Sequence, residues 1–257
     1  MPHSPTLKSL QKLDLLLFLA ARDGGGAEQV LDLVAQGANP KARFGNGATA
    51  LHAAAGSGSI CALEALLPFG DPRSVDEQGR SPLIAGVNSG RPAVAQLLAP
   101  LSDVDAVSNS GFTAMGLAIS KNFGQCFDAL LPAQGTAAPL ARNDLTALMF
   151  AADLSRTSMA SALMPSSDPL ERNADGWTAL MFAARAGASS IVKMLAPLSD
   201  LDARCLVTEW TAADLASEKG YPEIAEMLWA MATSRNELAL LDEACPPVQR
   251  SQAVGRL

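Results

Sequence analysis

Short apolar segments recur along the chain every 32 or 33 residues. Each begins at a Thr or Ser and continues as a run rich in Ala, Leu and Met, as in residues 178–184. A hydroxyl at such a position caps a helix by accepting backbone N–H bonds. The pattern therefore predicts six helices, and Leu15 begins a seventh unit that lacks the hydroxyl. The six predicted capping residues are Thr49, Ser81, Thr113, Thr146, Thr178 and Thr211.

A second apolar helix is predicted in each unit after a break. Nine places after the capping residue a glycine usually stands, and it closes the first helix in the left-handed conformation. Asn122 and Ser155 replace this glycine in the fourth and fifth units, and Asp144 and Glu209 replace a turn glycine. A left-handed serine costs roughly 1–2 kcal/mol unless the turn changes. We therefore expect the fifth unit to be the loosest internal joint.

Proline stands nineteen places after the capping residue in every internal unit. Because proline removes a backbone donor and disfavours helix in the residue before it, these positions predict the end of each second helix. The first and last units have Ala35 and Ala230 there, as expected for terminal repeats with different neighbours. The five prolines are Pro68, Pro100, Pro132, Pro165 and Pro197.

The repeated unit resembles the ankyrin repeat. Residues 49–55 (TALHAAA) and 146–152 (TALMFAA) match the motif that opens the first helix, residues 37–40 (GANP) match the loop, and Asp175-Gly176 matches the turn. The resemblance implies an all-α solenoid of six to seven helix-turn-helix units, with β-turn fingers that project to one side of a concave groove. It also implies that His52 forms a hydrogen bond between repeats.

The chain divides into three predicted segments. Residues 1–14 are expected to be an N-terminal helical extension, because Leu7, Leu10 and Leu13 have helical spacing. Residues 15–233 are the predicted ankyrin-repeat domain. Residues 234–257 are expected to be a helical extension followed by a mobile tail, which begins where Pro246 and Pro247 break the helix.

Composition narrows the classes of partner. The net charge of −7 opposes binding to a phosphate backbone, so we expect no nucleic acid, and it favours a basic partner. The apolar run 13–21 is interpreted as part of the first unit rather than as a signal peptide, and no membrane-spanning segment is predicted. We expect a cytoplasmic monomer, with a translocated effector as the alternative.

The residues offer little for chemistry. Four cysteines without a Cys-x-x-Cys pair indicate reduced, mostly packed thiols, and two histidines make a metal site improbable. No phosphate-binding loop, His-Glu-x-x-His or Gly-x-Ser-x-Gly motif occurs. The repeated Asp pairs at 103 and 105 and at 200 and 202 fit turn capping better than acid–base work. We expect no enzyme activity and no cofactor.

Large apolar residues recur at two positions of the repeat that face the groove in ankyrin folds. One position is the end of the finger, just before the capping residue, and the other lies on the first helix. Aromatic residues and arginine are common anchors of protein interfaces, and the alternative is that the rings only pack the stack. The predicted partner-binding residues are Phe112, Leu145, Phe150, Trp177, Phe182, Arg185 and Trp210.

These observations predict a non-catalytic protein–protein interaction module that binds its partner through the concave face. The alternative is a dedicated inhibitor or antidote that masks the site of a basic enzyme, as the negative charge would permit.

Overall fold

The computed structural model describes residues 7–133 and 144–244, and in these ranges the chain forms fourteen α-helices and no β-strand. The helices are α1 (Leu7–Arg22), α2 (Ala27–Ala35), α3 (Ala50–Ser57), α4 (Ile60–Leu66), α5 (Pro82–Asn88), α6 (Pro92–Leu98), α7 (Ala114–Lys121), α8 (Gly124–Leu130), α9 (Ala147–Asp153), α10 (Thr157–Leu163), α11 (Ala179–Arg185), α12 (Ser189–Leu195), α13 (Ala212–Glu218) and α14 (Pro222–Ala244).

The helices form seven pairs stacked in series. Each odd-numbered helix contacts the next odd-numbered helix from α1 to α13, and each even-numbered helix packs against the odd-numbered helix before it. The predicted all-α solenoid is therefore confirmed, and it has seven units. We call the row of odd-numbered helices, together with the turns that precede them, the concave face. We call each of those turns a finger.

Capping hydroxyls begin the odd-numbered helices as predicted. In five units the side-chain oxygen accepts a hydrogen bond from the backbone N–H three residues further on, at 3.1–3.4 Å. These five are Ser81, Thr113, Thr146, Thr178 and Thr211. Thr49 differs, because its hydroxyl lies 2.9 Å from the Nδ1 atom of His52.

Proline ends the second helices of the internal units. α6, α8, α10 and α12 each stop two residues before their proline, which then lies in a short 3₁₀ turn. α4 likewise ends at Leu66, two residues before Pro68. In the last unit, where Ala230 takes this place, α14 continues to Ala244. The predicted role of the prolines as helix stops is confirmed.

Four residues that replace a repeat glycine keep the glycine conformation. Asn122, Asp144, Ser155 and Glu209 have positive φ angles of 59°, 52°, 56° and 59°. The stack therefore holds these turns in the left-handed region even where a side chain makes that conformation unfavourable. The sequence left open whether the turn at Ser155 changes to relieve the strain, and its positive φ angle shows that it does not.

Small buried residues allow the helices of neighbouring units to approach closely. The residue five places after each capping residue is Ala or Gly, and it is buried in all six units. At Gly86 a Cβ atom would lie 2.4 Å from Cγ1 of Val94, so a side chain there would displace Val94. A single continuous core results, because every unit contributes buried side chains to it.

The two predicted extensions are continuous with repeat helices. α1 runs without a break through residues 14 and 15, and α14 runs through residues 233 and 234. Residues 1–6, and the predicted mobile tail from residue 245 onward, lie outside the described residues.

Candidate functional site

Backbone hydrogen bonds connect three pairs of neighbouring fingers: the second with the third, the third with the fourth, and the sixth with the seventh. In each, the N–H of one finger donates to a carbonyl of the finger before it, at 2.8–2.9 Å. A partner that approaches the concave face therefore meets fingers that these bonds hold in place relative to one another. The three bonds are Glu77 N–H to Asn46 O, Asn109 N–H to Gln78 O, and Leu206 N–H to Asp175 O.

Trp177, Phe182 and Arg185 form a compact cluster in the sixth unit. The ring centroids of Trp177 and Phe182 are 5.1 Å apart. The guanidinium carbon of Arg185 lies 4.7 Å from the Trp177 centroid and 5.0 Å from that of Phe182. Its Nη2 atom also donates to Oδ1 of Asp153 on α9. Cation–π contacts and an ion pair thus hold this arginine in one position across two units.

A cavity of about 380 Å³ opens beside this cluster. Leu145, Trp177, Phe182 and Arg185 line it, so the structure brings together four of the seven predicted residues at one place. Residues of the seventh finger close its far side. Trp177 is half-buried, whereas Phe182 is only 5% exposed. Phe182 therefore acts mainly as the surface on which Trp177 and Arg185 pack.

Phe112 and Phe150 form a second aromatic pair further along the concave face. Phe112 is on the fourth finger and Phe150 is on α9, and their ring centroids are 6.1 Å apart. Both side chains are half-buried. The pair thus packs two units together and also leaves ring surface open to a partner.

Trp210 lies apart from the cavity beside Trp177. It is 36% exposed and shares a shallow depression with Trp229 of α14. Leu206 and Val207, in the finger that precedes Trp210, are 71% and 75% exposed. Sequence reasoning did not single out Leu206, Val207 or Trp229. The readable signal was the adjacent Leu-Val pair in a finger that also contains Arg204, Thr208 and Glu209.

Asn173 is another residue that sequence reasoning missed. It lines the same cavity as Trp177, and its Oδ1 atom accepts hydrogen bonds from the backbone N–H groups of Asp175 (3.1 Å) and Trp177 (2.8 Å). Asn173 thereby fixes the turn that presents Trp177. The signal was its place five residues before the capping Thr178, the place that Asp76 takes in the third unit.

An equivalent cavity of about 450 Å³ lies near the other end of the concave face. Arg80 stands in the place of Trp177, and its Nη2 atom donates to Oδ2 of Asp76 at 2.7 Å. Burial raises the pKa of the Asp76 carboxyl, but hydrogen bonds from Arg80 and Gln78 outweigh burial and hold that pKa below its usual value. Ala85 and Asn88 replace Phe182 and Arg185. Asp76 and His52 both bond to Arg80, the first to its guanidinium and the second to its carbonyl.

His52 makes the hydrogen bond between repeats that the family resemblance implied. Its Nδ1 atom accepts from the backbone N–H of Thr49 (3.2 Å), so the ring proton is on Nε2, which donates to the carbonyl of Arg80 (2.9 Å). Burial lowers the pKa of His52 and outweighs the opposing bond to Arg80. The ring is a neutral structural link.

The cysteines correct one expectation and confirm another. Cys126 is buried, as expected for a packing residue, but Cys61 is exposed, because its position on α4 faces away from the core. Burial raises the pKa of the Cys205 thiol, yet hydrogen bonds from Thr208 and nearby backbone groups outweigh it and lower that pKa. The three cysteines in the described part of the chain are free thiols, and Cys245 lies outside it.

Residues 7–133 and 144–244 contain no group of three or more His, Cys, Asp or Glu side chains placed to hold a metal ion. No helix within these ranges is both long and apolar enough to cross a membrane.

Comparisons with known proteins agree with this architecture. The family model for ankyrin repeats (3 copies) matches residues 17–107 and 158–236. The ankyrin repeat domain of human ASB11 superposes with a TM-score of 0.69 at 22% identity, over 82% of this chain and 96% of that one. The ankyrin repeat domain of Bcl-3, a member of the IkappaB protein family, gives a TM-score of 0.73 at 19% identity, over 82% and 97%. No curated protein sequence matches the chain.

Proposed function

The chain belongs to the ankyrin-repeat family, and on that premise we propose that it is a non-catalytic module that binds another protein through its concave face. Ankyrin repeat domains are generally protein–protein interaction modules. The observation that carries the proposal for this chain is the cluster of Trp177, Phe182 and Arg185 beside an open cavity. Tryptophan and arginine are the residue types most enriched at the centres of protein interfaces.

The rigidity of the cluster supports this role. Arg185 is held by two aromatic rings and by Asp153, so it loses little side-chain freedom when a partner binds. The backbone hydrogen bond from Leu206 to Asp175 likewise holds the sixth finger against the seventh. Little conformational entropy is then lost when the partner binds, because the surface is already ordered.

The predicted residues take different parts in this proposal. Trp177, Leu145 and Arg185 contact the partner at the cavity, and Phe182 supports them from below. Phe112 and Phe150 extend the contact toward the fourth unit. Trp210, with Leu206, Val207 and Trp229, extends it toward the end of the stack.

The test replaces Trp177 and Trp210 together with alanine. Affinity capture from the cells that make the protein should recover the partner with the wild-type chain and lose it with the double variant. Phe69→Ala is the matched control, because Phe69 is an exposed aromatic residue in the connection after α4. Thermal unfolding of all three proteins completes the experiment. If the double variant loses the partner and also unfolds at a much lower temperature than the wild-type chain, the tryptophans are structural and the proposal fails.

The alternative of an inhibitor that masks a basic enzyme has only the net charge of −7 in its favour. It predicts that association with the captured partner slows steeply as salt is added, because long-range attraction is screened. Association that does not depend on salt would exclude it.

A further inference from the structure

We infer that the cavity beside Trp177 is a recognition pocket for one neutral amide group of the partner. That group is either a peptide bond of an extended segment or the carboxamide of an Asn or Gln side chain. This inference rests on the proposed function and adds to it the chemical class that the pocket accepts. It comes from the hydrogen-bonding groups that line the cavity.

Asn173 supplies an unused donor. Its side chain is only 7% exposed and lines the cavity, and its Oδ1 atom is occupied by two backbone N–H groups. Its Nδ2 atom has no hydrogen-bond partner among residues 7–133 and 144–244, and it is not sealed inside the protein. In the equivalent cavity the matching atom, Oδ2 of Asp76, bonds to Arg80. A nearly buried donor without a partner suits a ligand that brings an acceptor.

An anion and a cation each fail to match the lining. Asp153 and Asp175 repel an anion. A guanidinium or ammonium ion has only donors, so it offers no acceptor to Nδ2 of Asn173. Arg185 and Asp153 already form an ion pair with each other. What remains favoured is a neutral group.

An amide satisfies the groups that remain. Its carbonyl oxygen accepts from Nδ2 of Asn173, and its N–H donates to a carboxylate oxygen. Oδ2 of Asp153 and both carboxylate oxygens of Asp175 accept no hydrogen bond within the described part of the chain, so either residue can receive it. Leu145 and Trp177 provide apolar walls for the carbon atoms on either side of the amide.

The test titrates the ¹⁵N-labelled full-length chain with four small probes, one at a time. N-Methylacetamide represents a peptide bond and propionamide represents a side-chain carboxamide, while guanidinium chloride and sodium acetate represent the two ionic classes. The readouts are the NMR signals of the Asn173 side-chain amide and the Trp177 indole N–H, with the Trp229 indole as internal reference. We expect saturable shifts at Asn173 and Trp177 with an amide only. The amide that binds more tightly shows whether the partner supplies a peptide bond or a side-chain carboxamide.

Asn173→Asp is the matched variant. It replaces the donor with an acceptor but keeps the turn, because Asp76 accepts the same two backbone N–H bonds in the third unit. We expect it to weaken amide binding about fivefold or more, the effect of losing one hydrogen bond. Saturation by guanidinium or acetate instead, no saturation by either amide, or equal amide binding by the variant would overturn the inference. The proposed function would then stand or fall separately, on capture by the Trp177→Ala/Trp210→Ala variant.

Discussion

The two equivalent cavities of the concave face share a backbone and differ in nearly every side chain. In the cavity between the second and third units, Arg80 bonds to Asp76, and Ala85 and Asn88 leave the helix surface small and polar. Between the fifth and sixth units, the same places hold Trp177, Asn173, Phe182 and Arg185. In the first cavity the carboxylate of Asp76 bonds to Arg80, whereas the second presents aromatic rings and, among the described residues, an Asn173 side-chain N–H without a partner.

This difference separates the scaffold of the repeat from its binding surface. Caps, small buried residues and left-handed turns recur at both ends, because stacking requires them everywhere. The concave positions differ from unit to unit, because the stacking of the helices can be kept with different side chains there. Four substitutions test whether the two cavities play different roles.

Phe182→Ala gives the sixth unit the side chain that the third unit has at Ala85. Phe182 is almost fully buried, so we expect a loss of about 3 kcal/mol of unfolding free energy, as measured by urea denaturation. Trp177→Ala, at a half-buried position, should cost clearly less. Equal losses in the two variants would mean that the whole column serves packing.

Removing Arg80 should mainly lower stability, whereas removing Arg185 should mainly weaken binding of the partner. Arg80→Ala leaves the Asp76 carboxylate, whose side chain is 1% exposed, without its charged partner, and we expect a loss of about 2 kcal/mol of stability. Arg185→Ala removes a half-exposed pair and should change stability little, but it should weaken binding of the captured partner about tenfold. Urea denaturation measures the loss of stability in both variants, and a binding titration measures the loss of affinity. The comparison fails if Arg80→Ala weakens binding as much as Arg185→Ala does.

Ser155 tests the fifth unit, which we predict to be the loosest internal joint of the stack. Because its φ angle is 56°, Ser155→Gly should raise the unfolding free energy by about 1 kcal/mol and slow hydrogen exchange in α9 and α10. Gly220 is at the equivalent place in the last unit, with a φ angle of 82° and open space around it, so Gly220→Ser is the reverse control. It should cost a similar amount. Exchange in the fifth unit that is already slower than in its neighbours would contradict the prediction that this joint is the loosest.

The sequence predicted the scaffold well because the scaffold repeats. Caps, proline stops and the four left-handed substitutions each occur at a position that six units define, so one residue is read against five others. The His52 bond followed from the family resemblance for the same reason. Cys61 shows the limit of this reasoning, because a place on a second helix does not by itself say which face a side chain takes.

The candidate site was predicted only in part because it depends on contacts between units. The column of Phe112, Leu145, Trp177 and Trp210 could be read by position. That Asp153 of one unit would hold Arg185 of the next, or that Asn173 would reach the same cavity, depends on three-dimensional placement. The exposed pair Leu206 and Val207 lies in a connection one residue longer than those before the third and sixth units, so the repeat gives no register there.

His52 provides the smallest expected effect and the one that depends on pH. The equivalent places in the fifth, sixth and seventh units hold Met149, Met181 and Asp214, so a histidine stands there only near the first cavity. Burial lowers the pKa of His52 in the folded state, so the unfolded chain takes up a proton at a higher pH than the folded chain does. The contribution of His52 to stability is therefore complete above the unfolded value of 6.5 and is lost as the pH falls from there toward the folded pKa. Urea denaturation of the wild-type chain across this range should show the decline, and His52→Met should remove it. A decline that persists in the variant would assign the pH dependence to the carboxylates instead.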